Sequence, residues 1–274
     1  MRHYKQLVGH LLFYGVMASA FWTAPPVHAQ PEPLTIAAAS SLRDAFRKVL
    51  PLFEVQHPEI SVRVLYGPSQ TLRKQIQEGA PVDVFLPSLF EEIDQLEQKG
   101  LVIQGTKRVY ASTSLVLITG TTLPAPIASI QDLRTIQVRR IAIGDPKTSS
   151  VGKVATQFLK YSKLEPQMKS QYVFGEHSRA VLDLVAKGEA ELGIVYRTDA
   201  VADKHIRILD SAPADSHTPI RYGAAAVWTA RNVSGAGDFI EYLLSAPIQA
   251  QFKEYGFDQA TSEVGVSQRQ EVKP

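Results

Sequence analysis

The 274-residue chain has no cysteine. That excludes a disulfide framework, a Cys-based zinc site, an iron–sulfur cluster and a thiol nucleophile. It also leaves no residue to carry a bacterial lipid anchor. Glycine and proline, 17 of each, are too few for a collagen-like or disordered chain. Of seven histidines, His3, His10 and His28 fall in the first 29 residues. The other four, His57, His177, His205 and His217, are far apart and form no H-x-H or H-x-x-x-H pair, so the spacing offers no metal site. An excess of one charge is also missing. The first 29 residues hold two basic and no acidic groups, which leaves 27 Lys+Arg against 27 Asp+Glu beyond them. A neutral chain without a basic run gives no support for nucleic-acid binding. No apolar run reaches the length of a membrane span. With 45% apolar and 20% charged residues, the chain has an ordinary globular composition and room for one large or two smaller cores.

The amino terminus reads as a targeting segment. Arg2 and Lys5 form a basic start, and Leu11–Trp22 is a mostly apolar run of 12 residues. Pro25 and Pro26 break it, and Val27-His28-Ala29 places small residues at −3 and −1. This is a secretory signal peptide pattern with cleavage expected after Ala29. A membrane anchor is the competing explanation, but the run is short for one. The mature chain is expected to begin at Gln30, to be soluble and to be exported.

Strand-like and helix-like segments alternate along the rest. Leu34–Ala39 reads as a buried strand. Leu42, Ala45, Phe46, Val49, Leu50 and Phe53 then fall on one helical face, with Ser41 and Asp44 as a capping pair and Pro51 expected to kink or end the helix. Ile60, Val62, Val64 and Tyr66 alternate as a strand, and Ser69 can cap the helix that follows. Further strands are expected at residues 82–86, 114–119, 140–143, 191–196 and 224–229, with helices between and after them. This rhythm implies an α/β fold of mainly parallel sheets covered on both faces.

Catalytic signatures mostly fail on spacing. Gly144 to Gly152-Lys153 looks like a phosphate loop, but the glycines are eight apart and Val154 stands where Ser or Thr would hold magnesium. Ser150-Val-Gly-Lys153 fits S-x-x-K, without the accompanying S-D-N or K-T-G. A different pattern recurs. Small polar residues open a helix at four strand-to-helix corners: Ser40-Ser41, Ser69, Ser149-Ser150 with Gly152, and Ser178. Helix amino termini carry unpaired N–H groups and partial positive charge, and serine hydroxyls add donors without adding charge. Such corners suit an anion. The competing explanation is that each serine caps its own helix.

Ala37-Ala-Ala-Ser-Ser41-Leu42, Gly67-Pro-Ser69-Gln-Thr71-Leu72 with Gln75-Ile76, and Gly79-Ala-Pro-Val-Asp83-Val-Phe85 resemble the first third of periplasmic molybdate-binding proteins of ABC transporters. Ser114-Leu-Val-Leu117, Ile143-Gly-Asp-Pro146, Leu192-Gly-Ile-Val-Tyr196 with Asp199-Ala-Val201, Asp215-Ser-His217 and Tyr255-Gly-Phe257 continue that resemblance in order through residue 257. It implies a type II substrate-binding protein: two lobes, each a mainly parallel sheet flanked by helices, with the ligand in the cleft between them. The implied division is residues 1–29 as signal peptide, 30–112 with 226–274 as the first lobe, and 113–225 as the second. The implied site takes hydroxyl and N–H donors from Ser41 and Ser69, backbone N–H groups from Val151 and Ser178, and a phenolic O–H from Tyr196. Ser40 shares its doublet with Ser41, and either serine of the pair fits the first position. Val151 stands where Ala is usual and Ser178 where Val is common. Pro87-Ser88-Leu89 replaces the family's Ser-Ala-Asp.

The resemblance further implies a non-enzymatic, periplasmic, monomeric protein with no cofactor. It would bind molybdate or tungstate and pass it to a membrane permease. Molybdate is a tetrahedral dianion that only accepts hydrogen bonds, so a pocket of donors suits it and should reject a protonated phosphate. Two alternatives stay open. One is a receptor for another oxyanion, such as sulfate, or for a small organic anion. The other is an exported serine hydrolase using Ser150 and Lys153. Under the molybdate reading, replacing Ser150 is expected to leave binding unchanged.

Overall fold

A computed structural model of the chain describes residues 33–121, 127–136, 138–201 and 203–259. The expected signal peptide, its cleavage point and Gln30 lie outside the described residues. The strands are β1 (Leu34–Ala39), β2 (Val62–Gly67), β3 (Val84–Leu86), β4 (Arg108–Ser112), β5 (Leu115–Gly120), β6 (Ile141–Gly144), β7 (Tyr172–Gly175), β8 (Leu192–Tyr196), β9 (Ile206–Ser211), β10 (Arg221–Ala226) and β11 (Asp258–Gln259). The helices are α1 (Arg43–Gln56), α2 (Ser69–Gln77), α3 (Glu91–Glu97), α4 (Ser150–Tyr161), α5 (Glu165–Met168), α6 (Ser178–Ala186), α7 (Arg197–Val201), α8 (Val233–Leu244) and α9 (Ala246–Glu254).

The strands form two sheets, ordered β11-β4-β10-β3-β1-β2 and β7-β6-β8-β5-β9. Both are mixed. Strands joined through helices pair parallel, as β1 does with β2 and β3, and β6 with β7 and β8. Strands next to the two crossings pair antiparallel: β4 and β3 with β10, and β5 with β8 and β9. The chain leaves the first sheet after β4 and returns at β10. The strand expected at residues 224–229 runs instead from Arg221 to Ala226. The apolar run begins only at Ala224, while Arg221 and Tyr222 are held by backbone pairing to Ser112 and Ala111 of β4.

The helical faces follow the periodicity. Ala45, Phe46, Val49 and Phe53 of α1 are buried, and Phe53 meets Phe239 of α8 edge-on at 5.0 Å. Pro51 does not end this helix, which continues to Gln56. Its exposed ring removes one N–H, but the buried face extends on both sides of it, and packing of that face contributes most of a helix's stability. In the second sheet, Val154, Ala155, Phe158 and Leu159 of α4 cover one face, and Val181, Leu182 and Val185 of α6 cover the other. Gly144 and Gly152, the ends of the apparent phosphate loop, serve close packing between β6 and α4. A Cβ on Gly152 would sit 2.3 Å from the Gly144 carbonyl oxygen.

Candidate functional site

Six strands, three parallel in each sheet, end toward one place. The residues just past β1, β2, β3, β6 and β7, together with Tyr196 at the end of β8, line a single cavity. Open α/β sheets place ligands at such carboxyl ends. The lining includes seven serines (40, 41, 69, 88, 149, 150 and 178) with Val151, His177 and Tyr196, and contains no Lys, Arg, Asp or Glu. Every residue proposed from the sequence, Ser40, Ser41, Ser69, Val151, Ser178 and Tyr196, is therefore brought together here from both sheets. The free volume is about 10 Å³, about that of one water-sized sphere, which suits a small ion. Two larger cavities, of about 240 Å³ around Thr35, Arg63 and Asp83 and about 300 Å³ around Thr113 and His217, lie elsewhere.

The serines do not cap their own helices. Ser40–Leu42 form a 3₁₀ turn ahead of α1, and neither has a side-chain cap bond. The Ser41 hydroxyl instead meets the Tyr222 hydroxyl at 2.8 Å. That phenol also lies 3.5 Å from the Thr198 hydroxyl. Pro68 precedes α2, so Ser69 is its first residue, and its Oγ accepts the Ser88 N–H at 3.2 Å. Ser149 precedes α4 without a side-chain cap. At α6 the cap is His177, whose Nδ1 accepts the Ala180 N–H at 3.1 Å. Burial holds the His177 pKa below its usual value, which keeps the neutral ring that this lone pair requires. Capping by His177 releases Ser178, whose Oγ accepts the Tyr196 N–H at 3.3 Å and donates to the buried Asp199 carboxyl. The Ser178 hydroxyl is thus committed inward, and its backbone N–H at the start of α6 is what it can offer the cavity.

Two hydroxyls stand out. Ser40 Oγ and Ser150 Oγ are buried and have no hydrogen-bond partner among the described residues. Both belong to residues lining this cavity. A buried polar group without a partner is costly, and a ligand is one means of satisfying it. Ser150 also lacks a base. Lys153 Nζ is turned to Glu91 Oε1 at 2.5 Å, so the S-x-x-K spacing does not assemble the hydrolytic pair. Among the described residues, no group of three or more His, Asp or Glu is placed to hold a metal ion.

The two sheets touch across the cavity. Ser88 Oγ, on the first, lies 3.1 Å from Tyr196 OH on the second. At the rim, Lys153 of α4 pairs with Glu91 of α3 at 2.5 Å, and Arg179 of α6 with Asp44 of α1 at 2.6 Å. Beneath it, burial raises the Asp199 pKa to about 7, against the Ser178 hydrogen bond and the Arg179 charge. Burial likewise raises the Tyr196 pKa well above the usual phenol value, so the phenol keeps its proton.

Sequence reading missed Ser88, Tyr222 and Asp199 as parts of this arrangement. Ser88 had a usable signal, since it follows β3 as Ser41 follows β1. Tyr222 had none, because its partner Ser41 lies 181 residues away.

The bacterial extracellular solute-binding protein family matches residues 34–258. The chain is 31% identical over 256 residues to the molybdate-binding protein ModA of Escherichia coli K12, covering 90% of this chain and 96% of that one. It superposes on the periplasmic molybdate-binding protein of Azotobacter vinelandii with a TM-score of 0.75 at 22% identity, covering 83% of this chain and all of the other. It also superposes on the sulfate-binding protein SubI of Mycobacterium tuberculosis, with a TM-score of 0.72 at 18% identity over 84% of this chain and 88% of the other. Those two likenesses establish a periplasmic-binding-protein fold and leave the choice of anion to the site.

Proposed function

We propose that this chain, which belongs to the bacterial extracellular solute-binding protein family, captures molybdate, and tungstate alike, and delivers it to an ABC transporter permease. The observation that carries this reading is the pair of unpartnered hydroxyls, Ser40 Oγ and Ser150 Oγ, in a cavity without a carboxylate. A fully deprotonated tetrahedral dianion has only lone pairs to offer, and every oxygen needs donors. Hydroxyls of Ser40, Ser41, Ser69, Ser150 and Tyr196 supply them, with backbone N–H groups of Val151 and Ser178 at the starts of α4 and α6. Four helix amino termini supply partial positive charge in place of Lys or Arg. The 31% identity to ModA supports molybdate over other oxyanions.

On this reading the two sheets are the cores of two lobes, and the crossings after β4 and before β10 are the hinge. The signal peptide is removed after Ala29, and the mature protein works as a periplasmic monomer. Calorimetric titration of the mature chain with molybdate, tungstate, sulfate and phosphate tests it. Molybdate and tungstate should bind comparably, sulfate more weakly because its shorter bonds stretch every contact, and monohydrogen phosphate hardly at all. Tighter binding of phosphate or sulfate than of molybdate would overturn the assignment.

A further inference from the structure

We infer that Ser88 is a positioning residue that fixes the direction of two hydroxyl protons, so that Ser69 and Tyr196 both face the ligand as donors. The inference rests on the oxyanion reading above and extends it to a residue outside the proposed contact set.

A serine or tyrosine hydroxyl has one proton and accepts as readily as it donates. A pocket of free hydroxyls is therefore not by itself a pocket of donors. Ser88 has two protons to give, and each has a destination. Its N–H donates to Ser69 Oγ at 3.2 Å. Its own Oγ lies 3.1 Å from Tyr196 OH and 3.3 Å from Ser69 Oγ. Ser69 already accepts the N–H, so the Ser88 hydroxyl proton is best used toward Tyr196, the nearer oxygen. Both ligand-facing hydroxyls then have a lone pair occupied from behind and a proton left for the cavity. A phenol that accepts a hydrogen bond also becomes a stronger donor to an anion. Ser88 is only 2% exposed, so bulk water does not compete for this role. It also joins the two sheets, because Ser69 precedes the first crossing and Tyr196 follows it. The Pro87-Ser88-Leu89 corner after β3 places this hydroxyl where it spans both donors.

The test is a double-mutant cycle read by calorimetric titration with sodium molybdate, with the melting temperature of each ligand-free protein recorded beside it. Ser88→Ala keeps the N–H to Ser69 and removes the donation to Tyr196, so molybdate affinity should fall about fivefold, the worth of one neutral hydrogen bond. In a Tyr196→Phe background no phenol remains to be oriented. There the same change should alter affinity by less than about twofold, the scatter expected of independent sites. Ser88→Thr, which keeps both donors, should restore the wild-type response. An equal loss in both backgrounds, or no loss in the wild type, overturns the role of Ser88 and leaves the molybdate assignment standing. Failure of the wild type to bind molybdate overturns that assignment, and this inference with it.

Discussion

In Tyr196→Phe the ring stays and one O–H goes. The ring is 2% exposed and meets Tyr222 at 6.3 Å in a T-shaped contact, which phenylalanine preserves. The phenol's protein partner is the Ser88 hydroxyl at 3.1 Å. Losing that neutral bond costs the ligand-free protein about 1 kcal/mol, and less if Ser88 turns to Ser69. For a domain of this size that is a drop of about 2–4 °C in melting temperature. The loss to a bound dianion is larger. A hydrogen bond to a charged acceptor contributes about 1.5–3 kcal/mol, so molybdate affinity should fall about 10- to 150-fold. Calorimetry on the mature protein measures the second quantity and a thermal melt the first. If the variant binds molybdate as tightly as the parent, Tyr196 only fills space and the donor set drawn from the second sheet is wrong.

Ser150→Ala was expected from sequence alone to leave binding unchanged, and the geometry points the other way. Removing a buried hydroxyl without a partner should leave the ligand-free melting temperature unchanged or raised, while molybdate binding weakens by about tenfold or more; an unaltered titration would exclude Ser150 from the contacts. Asp44→Ala breaks the rim pair with Arg179, which joins the sheets at partly exposed positions. Such a pair is worth about 0.2–1 kcal/mol, so affinity should drop up to about fivefold, with a smaller drop in high salt, and a salt-independent effect would count against a closing contact. Asp199 gives a pH signature. Its folded pKa, raised from 3.8 to about 7, lies above the unfolded value, so its contribution to stability is greatest below the unfolded pKa and is lost as pH rises from there to about 7. A bound dianion raises that pKa further, so molybdate binding near neutral pH should take up protons. Titrations in buffers of different ionisation heat read this uptake directly. It should shrink in Asp199→Asn, leaving only what His177 takes up, and proton release on binding would contradict the placement of Asp199 beneath the site.

The local physics of the chain was legible without coordinates. The face of α1 from Ala45 to Phe53, the alternation of β2 and the strand-to-helix corners are statements about neighbours within a few residues, and periodicity reports them. Pro51 does not end α1 because a breaking preference of a few kcal/mol is local, whereas the packing that overrides it comes from α8 and α9, nearly 200 residues on. Strands β4, β7 and β9 went unseen because few of their residues are buried and they are held by pairing with other strands.

The serines show where the division falls. Sequence by itself determined that polar, uncharged donors stand at the carboxyl ends of buried strands, since strand, turn and helix start are all encoded within about ten residues. It could not decide between a cap and a ligand contact, because a hydroxyl makes either bond from the same position. Only the tertiary structure shows that the cap is not made. His177 caps α6 in place of Ser178, Ser69 and Ser41 are engaged by Ser88 and Tyr222, and Ser40 and Ser150 are left buried without partners. Hydroxyl direction depends on which groups arrive from elsewhere in the fold, and two crossings of the chain bring them.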